Sequence, residues 1–299
     1  MPPSVPAFAG MTNERQSVTS PPRILAIAGS DSSGGAGIQA DIKTITVLGG
    51  YAMTAITAVT AQNTLGVTAI EALSPEMVGA QIDACLSDIG ADAVKIGMLG
   101  SPEIAHTVAE RLEGLSMPIV FDPVMVATSG SVLADEATIA AFEPLMRTAT
   151  LTTPNLPELS ALSGFNELHD EMVVAKAAEA LMKLSGAPAI LAKGGHWPGG
   201  IVRYSDGHEV STDKLVFDCL YALSPEGHWK EWSFEHERVE TLHTHGTGCT
   251  LSSAIATFLA QGLELSDAVA KARAFVRKAL LAAPGFGKGR GPMGHHGVR

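Results

Sequence analysis

The spacing of apolar positions changes repeatedly along this chain, and each change marks an element. Arg23-Ile24-Leu25-Ala26-Ile27-Ala28 is nearly all apolar, the pattern of a strand covered on both faces. Ile38, Ile42, Ile45 and Leu48 then recur at helical spacing up to Gly49-Gly50. Tyr51–Thr60 is β-branched and reads as a strand, as do Val67–Leu73, Ala93–Met98 and Pro118–Met125. Helical patterns fall between them, at Pro75–Ile89, Pro102–Leu115 and Asp135–Arg147. Thr150–Pro154 is a short strand before another helix, and Glu171–Leu184 is amphipathic. Ala189–His196 reads as a strand, and Ile201–Tyr204 with Glu209–Ser211 as a hairpin through Asp206-Gly207. Leu251, Ile255, Phe258 and Leu259 mark a helix ending at Gly262, and Ser266–Leu281 a last one.

Strands alternating with helices over the whole length imply an α/β fold. The expected form is a doubly wound, mostly parallel sheet with helices on both faces. Three stretches lack a period. Residues 1–22 are rich in Pro and Ser and read as a disordered leader, with Met11 as a candidate start. Residues 213–240 read as a variable loop or flap. The glycine-rich segment 284–299 reads as a flexible tail whose His295 and His296 are solvated rather than metal-bound. Residues 23–283 then form a single domain.

Composition narrows the class. Hydrophobic residues make up 46% and charged residues 17% of the 299, as in a compact globular protein. The net charge of −11 argues against nucleic acid or an anionic membrane as the main partner. Cys85, Cys219 and Cys249 form no CxxC pair, and an odd count suits free thiols in a reducing compartment. No apolar run is long enough to span a membrane and no signal-peptide pattern opens the chain, so a soluble cytoplasmic protein is expected.

Candidate chemistry gathers where strands end, the rim at which open α/β sheets hold ligands. Asp31, Gln62, Met98, Asp122, Asn155 and Lys193 all sit at such ends. Gln62 offers a donor and an acceptor side by side, suited to a nitrogen heterocycle or to loop backbone. Asn155 and Glu158 lie three apart at a helix start. They read either as an N-cap pair or as two oxygen ligands towards hydrated magnesium. Lys193 before two glycines is a candidate phosphate contact, and Asp41 near a helix start a carboxylate complementing the dipole.

The stretch Thr244-His245-Gly246-Thr247-Gly248-Cys249 runs straight into a helix, a seat for an anion such as phosphate. Cys249 at that N-terminus would have its thiol pKa lowered, or else serve as a small buried hydrophobe.

Seven motifs occur in an order that resembles the hydroxymethylpyrimidine/phosphomethylpyrimidine kinases of thiamine biosynthesis, in the ribokinase-like superfamily. They are AIAGSDSSGGAGIQADIKT, TAVTAQNT, VKIGML, DPVM, TPNLPE, KGGH and THGTGCTLSSAIA, between about Arg23 and Ala283. The resemblance implies two successive phosphoryl transfers from MgATP. The first goes to 4-amino-5-hydroxymethyl-2-methylpyrimidine and the second to its monophosphate. It implies that Gln62 pairs with the aminopyrimidine edge and that Ala36, Asp41, Met98 and Val126 line the ring pocket. By the same resemblance Asp122, Asn155 and Glu158 organise magnesium and its waters, and Lys193 meets the ATP phosphates. Gly246-Thr247-Gly248 matches the anion hole, and Cys249 stands where related sugar kinases carry an aspartate base. A thiolate there would serve the first transfer more than the second, whose acceptor is already ionised. Relatives are often homodimers. The alternatives are a pyridoxal/pyridoxine kinase of vitamin B6 salvage, whose members tend to carry an apolar residue in place of Gln62, and a non-catalytic pyrimidine-binding module.

Overall fold

The computed structural model describes residues 20–127, 130–194, 201–203, 209–224 and 227–298. Most of the leader, Met11, His196 and the Asp206-Gly207 turn lie outside these residues. Among the described residues the sheet has nine strands. In chain order they are β1 (Arg23–Asp31), β2 (Tyr51–Asn63), β3 (Gly66–Ala72), β4 (Ala93–Ile96), β5 (Ile119–Phe121), β6 (Leu151–Thr152), β7 (Ala189–Gly194), β10 (Leu215–Leu223) and β11 (Trp229–Glu237). A separate hairpin supplies β8 (Ile201–Arg203) and β9 (Glu209–Ser211).

The spatial order is β11-β10-β7-β6-β5-β4-β1-β2-β3. Pairing from β7 through to β2 is parallel, and β3, β10 and β11 join antiparallel at the two sides. The chain leaves β1 to build β2 on one side and later returns to place β4 on the other. This reversal opens a crevice at the carboxyl end of β1.

Alternation along β1 divides the core in two. Leu25 and Ile27 face one layer, and Ile24 and Ala26 the other. The first layer holds α2 (Pro75–Asp88), α3 (Pro102–Leu112), α6 (Leu156–Ser163) and α7 (Glu171–Ser185). The second holds α1 (Gly37–Val47), α8 (Thr247–Ala260) and α9 (Leu265–Leu281). Each fully buried Ile, Leu or Phe in these layers stabilises the fold by roughly 1.5–3 kcal/mol. Helix boundaries follow local chemistry. Ser74 and Ser101 cap α2 and α3 through their hydroxyls, with proline at the first helical turn. Gly164 and Gly186 end α6 and α7 in the left-handed conformation.

The expected α/β doubly wound sheet is present, and three local readings change. Residues 135–147 form two short helices, α4 (Glu136–Ala140) and α5 (Glu143–Thr148), because Pro144 cannot continue the first. Residues 213–240 are not a flap but the hairpin β10–β11, paired along its length and onto β7. Only one face of β11 is covered, by Trp232, Phe234 and His236, and the intervening charges mask that alternation.

The glycine-rich end is packed against the body rather than loose. Met293, His295 and Val298 are buried, Arg290 N–H donates to Thr64 O, and His245 N–H donates to Gly291 O. A Cβ on Gly294 would lie 1.8 Å from Ala282 O, so backbone contact itself demands glycine there. His295 contacts Thr250 Oγ1 at 2.9 Å, and burial lowers its pKa to about 4. No helix among the described residues is long and apolar enough to cross a membrane.

Candidate active site

The carboxyl ends of the parallel strands border a cavity of about 1100 Å³, closed on one side by the start of α8. Ala36, Gln62, Met98 and Val126 are among its lining residues, as are Asp122, Asn155, Glu158 and Lys193 and the helix start Gly246, Thr247, Gly248 and Cys249. Along the sheet, Gln62 at the end of β2 and Lys193 in β7 stand on opposite sides of Asp122, which follows β5. Val239, Leu251, Val276 and Leu280 add apolar lining. The fold thus brings together every site residue identified in the sequence except Asp41.

Asp41 is a correction to the ring-pocket set. It is fully buried and does not reach the cavity. Its Oδ2 pairs with Lys95 Nζ at 3.0 Å, and its Oδ1 accepts from Ser253 Oγ at 2.7 Å. Burial pushes the Asp41 carboxyl up while Lys95 and Ser253 pull it down. Lys95 is equally buried; burial opposes its charge, but Asp41, Cys249 and Asp122 outweigh this and raise its pKa. Ser253 lies one helical turn after Cys249, so this closed ion pair sits behind the reactive loop.

The start of α8 has the features of an anion seat. Gly246 is its N-cap at φ 85°, and no side chain caps the helix. A Cβ on Gly246 would come within 1.9 Å of Gly35 O, so glycine is required there for space as well as for conformation. A Cβ on Gly248 would lie 3.2 Å from Asp122 Oδ2 and 3.4 Å from Lys193 Nζ, which shows how closely the helix end approaches both charges. The uncapped end directs its dipole at that point.

Cys249 departs from expectation. Burial pushes its thiol up to about 11; Lys95 opposes this, and Asp41 and Asp122 reinforce it. The helix dipole is outweighed, and at neutral pH the group is a thiol.

Lys193 stands between two carboxylates, with Nζ 2.6 Å from Asp122 Oδ1 and 3.8 Å from Glu158 Oε2. Asp122 also accepts from Thr153 Oγ1 at 3.1 Å. Asn155 and Glu158 complete a capping box: Asn155 Oδ1 accepts from Glu158 N–H, and Glu158 Oε2 accepts from Asn155 N–H, both at 2.8 Å. Burial raises the Glu158 carboxyl to about 7; Lys193 counters this and Asp122 adds to it. Two carboxylates share one ammonium, so the cluster is short of positive charge. Among the described residues, no three His, Cys, Asp or Glu side chains converge as a ready-made metal cage.

Asp31, His245 and Lys95 had no assigned role in the sequence. A lysine inside the apolar run Ala93–Met98 is a usable signal, because a charge in a doubly covered strand requires a partner. Asp31, at 3% exposure, accepts from the Ser33, Gly35 and Ala36 N–H groups and from Ser33 Oγ. His245 Nε2 lies 2.8 Å from its Oδ2. Burial opposes the Asp31 charge, yet the hydrogen bonds from His245, Ser33 and Ala36 hold its pKa down at about 2. In the far wall, buried Arg273 donates to Asp218 Oδ2 at 2.6 Å and ties α9 to the β10–β11 hairpin.

Comparison with known proteins agrees with this architecture. A family model described as Phosphomethylpyrimidine kinase matches residues 31–294. The chain is 45% identical over 274 residues to the hydroxymethylpyrimidine/phosphomethylpyrimidine kinase of Rhizobium meliloti (strain 1021), covering 91% of this chain and 96% of that one. The crystal structure of phosphomethylpyrimidine kinase from Clostridium difficile 630 is similar with a TM-score of 0.70 at 36% identity, covering 86% of this chain and 99% of that one. Pyridoxal kinase from Staphylococcus aureus, solved with AMP-PCP and pyridoxal, is similar with a TM-score of 0.79 at 31% identity, covering 93% and 95%. The chain belongs to the phosphomethylpyrimidine kinase family and is an ATP-dependent kinase.

Proposed function

We propose that the protein transfers a phosphoryl group from MgATP to 4-amino-5-hydroxymethyl-2-methylpyrimidine, and a second to the resulting monophosphate, for thiamine biosynthesis. The observation that carries this reading is the Gln62 carboxamide at the end of β2, lining the same cavity as an uncapped helix start and a lysine of β7. A carboxamide can pair with an exocyclic amino group and the ring nitrogen beside it. The acceptor ring then lies among Ala36, Gln62, Met98 and Val126, and the apolar lining of Val239, Leu251, Val276 and Leu280 takes the nucleotide base.

The N–H groups of Gly248 and Cys249 and the Lys193 ammonium supply positive charge where phosphoryl oxygens gather, while the Thr247 N–H donates to Thr244 O. Such positioning and charge stabilisation account for most of phosphoryl-transfer catalysis. A magnesium ion fits the charge deficit at Asp122 and Glu158. Because no three-residue cage occurs among the described residues, these two and Asn155 would hold such an ion indirectly, together with the nucleotide. When bound, it would neutralise charge that develops on the phosphates. Cys249, as a thiol, orients the acceptor hydroxyl rather than drawing off its proton as a strong base.

A pyridoxine kinase is the second reading, favoured by the high structural likeness to the pyridoxal kinase. A coupled assay with each substrate, followed by product mass, separates the two. Mono- and then diphosphate from the pyrimidine, well above pyridoxine turnover, is expected; turnover of pyridoxine alone overturns the assignment. Gln62→Met should cut kcat/KM for the pyrimidine by roughly ten- to a hundredfold, since a buried recognition pair is lost. A reducing cytoplasmic setting and a homodimer belong to the same reading. The open edge of β3, with exposed Ile70 and Leu65 just before the strand, is one surface available for a second copy. Light scattering on the purified chain tests the dimer.

A further inference from the structure

The hydrogen bonds around Gln62 do not balance in one orientation of its carboxamide. Asp31 already accepts four donors from its own loop and is therefore a carboxylate, with no proton to give. His245 Nε2, 2.8 Å from Asp31 Oδ2, must then carry a hydrogen, because two bare acceptors would repel at that distance. The same nitrogen lies 3.3 Å from Gln62 Nε2, so two N–H donors face each other there. At the other end, Thr60 Oγ1 lies 3.0 Å from Ser30 O and 3.1 Å from Gln62 Oε1, yet it has one proton for two acceptors. Turning the carboxamide by half a turn removes the conflict at Thr60 and replaces the donor–donor contact at His245 with a donor–acceptor one, in which the single Nε2 hydrogen, bonded to Asp31, is shared. Gln62 oxygen then takes the longer, weaker arm of the His245 Nε2–H that Asp31 holds at 2.8 Å, its NH2 donates to Thr60 Oγ1, and Thr60 donates to Ser30 O.

We infer that the Asp31–His245 dyad, with Thr60, locks the Gln62 carboxamide with its oxygen towards His245 and its nitrogen towards Thr60. His245 is thus a positioning residue for ring recognition. This inference rests on the substrate reading above and adds a direction to it. One oxygen lone pair and one N–H remain for the ligand, in a set order along the cavity wall. An aminopyrimidine edge must place its amino group on the His245 side and its ring nitrogen on the Thr60 side. The order fixes which way round the ring lies, and with it where the hydroxymethyl group points. The dyad is rigid for a local reason: a Cβ on Gly35 would lie 2.3 Å from His245 Cδ2, so the imidazole rests directly on the loop that Asp31 organises.

Two measurements on the full-length protein test this. The first is a double-mutant cycle of His245→Leu and Gln62→Met, with KM and kcat read separately for the pyrimidine. His245→Leu alone should raise KM roughly ten- to a hundredfold and change kcat by less than about threefold. In the Gln62→Met background it should add almost nothing, because it acts only through Gln62. His245→Gln, which keeps an N–H donor, should recover part of the loss. Equal losses in both backgrounds would overturn the inference.

The second measurement needs no variant. Nitrogen NMR of the wild-type imidazole should find the proton on His245 Nε2, and the Gln62 amide protons should show an Overhauser contact to the Thr60 methyl group. A bare Nε2, or amide contacts to the imidazole instead, overturns the proposal. Absence of pyrimidine turnover in the wild type would defeat the substrate reading, and the NMR result would still decide the orientation.

Discussion

Two buried ion clusters flank the start of α8, and they are built on opposite principles. Behind the loop, Lys95, Asp41 and Ser253 form a closed set: one cation, one anion and a hydroxyl, with both charges at 0% exposure. In front of it, Asp122, Lys193 and Glu158 form an open set, with one cation between two anions on the cavity wall. The first set neutralises itself and needs nothing from solvent. The second is left negative, and Glu158 answers by rising to about 7. A balanced cluster serves the fold, whereas an unbalanced one awaits a cationic ligand.

The largest effect should come from breaking the closed set. Lys95→Met leaves Asp41 buried without its cation and should cost about 3–5 kcal/mol in urea unfolding. Adding Asp41→Asn should return part of that loss; a loss below ~1 kcal/mol would erase the contrast between the clusters. Breaking the open set should act on catalysis as well as on the fold. Lys193→Met should lower kcat by roughly 10²–10³, and because it leaves Asp122 without its cation it should also lower the unfolding midpoint, a loss that magnesium with nucleotide should partly restore, as steady-state kinetics and a thermal melt can check.

A third prediction sharpens the charge deficit. Because the folded pKa of Glu158 is raised, the folded protein holds that proton more tightly than the unfolded chain does. Its stabilising contribution is therefore present below the ordinary value of 4.5 and fades as pH rises through about 7. Glu158→Gln should match wild type at pH 4.5 and exceed it at pH 8 by on the order of 1–3 kcal/mol. The same gap at both pH values would show that Glu158 is already compensated. Magnesium with nucleotide should shrink the gap at pH 8.

The smallest effect concerns the thiol between the clusters. With its pKa near 11, Cys249 should react with iodoacetamide at pH 7.5 at least about tenfold more slowly than free cysteine, and faster only above pH 10. Mass-mapped labelling would distinguish it from Cys85 and Cys219. A plateau below pH 8 would show that the dipole outweighs burial after all.

Much of this protein was legible before its structure. Apolar runs mark the parallel strands and period-3.6 patterns the long helices, because most of these strands are covered on both faces while the helices bury one. Polar residues at strand ends could be read as a rim, since a parallel sheet delivers all its carboxyl ends to one side. Gly246 and Gly248, Lys193, Asp122 and Gln62 were visible for that reason. The β10–β11 hairpin was not, because the single covered face of β11 carries Trp232, Phe234 and His236 among charges. The packed end was not either. Glycines there signal close backbone approach to Thr64, Ala282 and His243, which in sequence looks the same as looseness.

The order of elements, and the residues presented at the rim, follow from the sequence through local periodicity. Charge state and partnership do not, for they depend on desolvation and on neighbours far away in the chain. Asp41 meets Lys95 across 54 positions and Ser253 across 212. His245 meets Asp31 across 214. Only the closing of the sheet and the docking of α8 made Cys249 a thiol, Asp41 a core residue and Gln62 an oriented one.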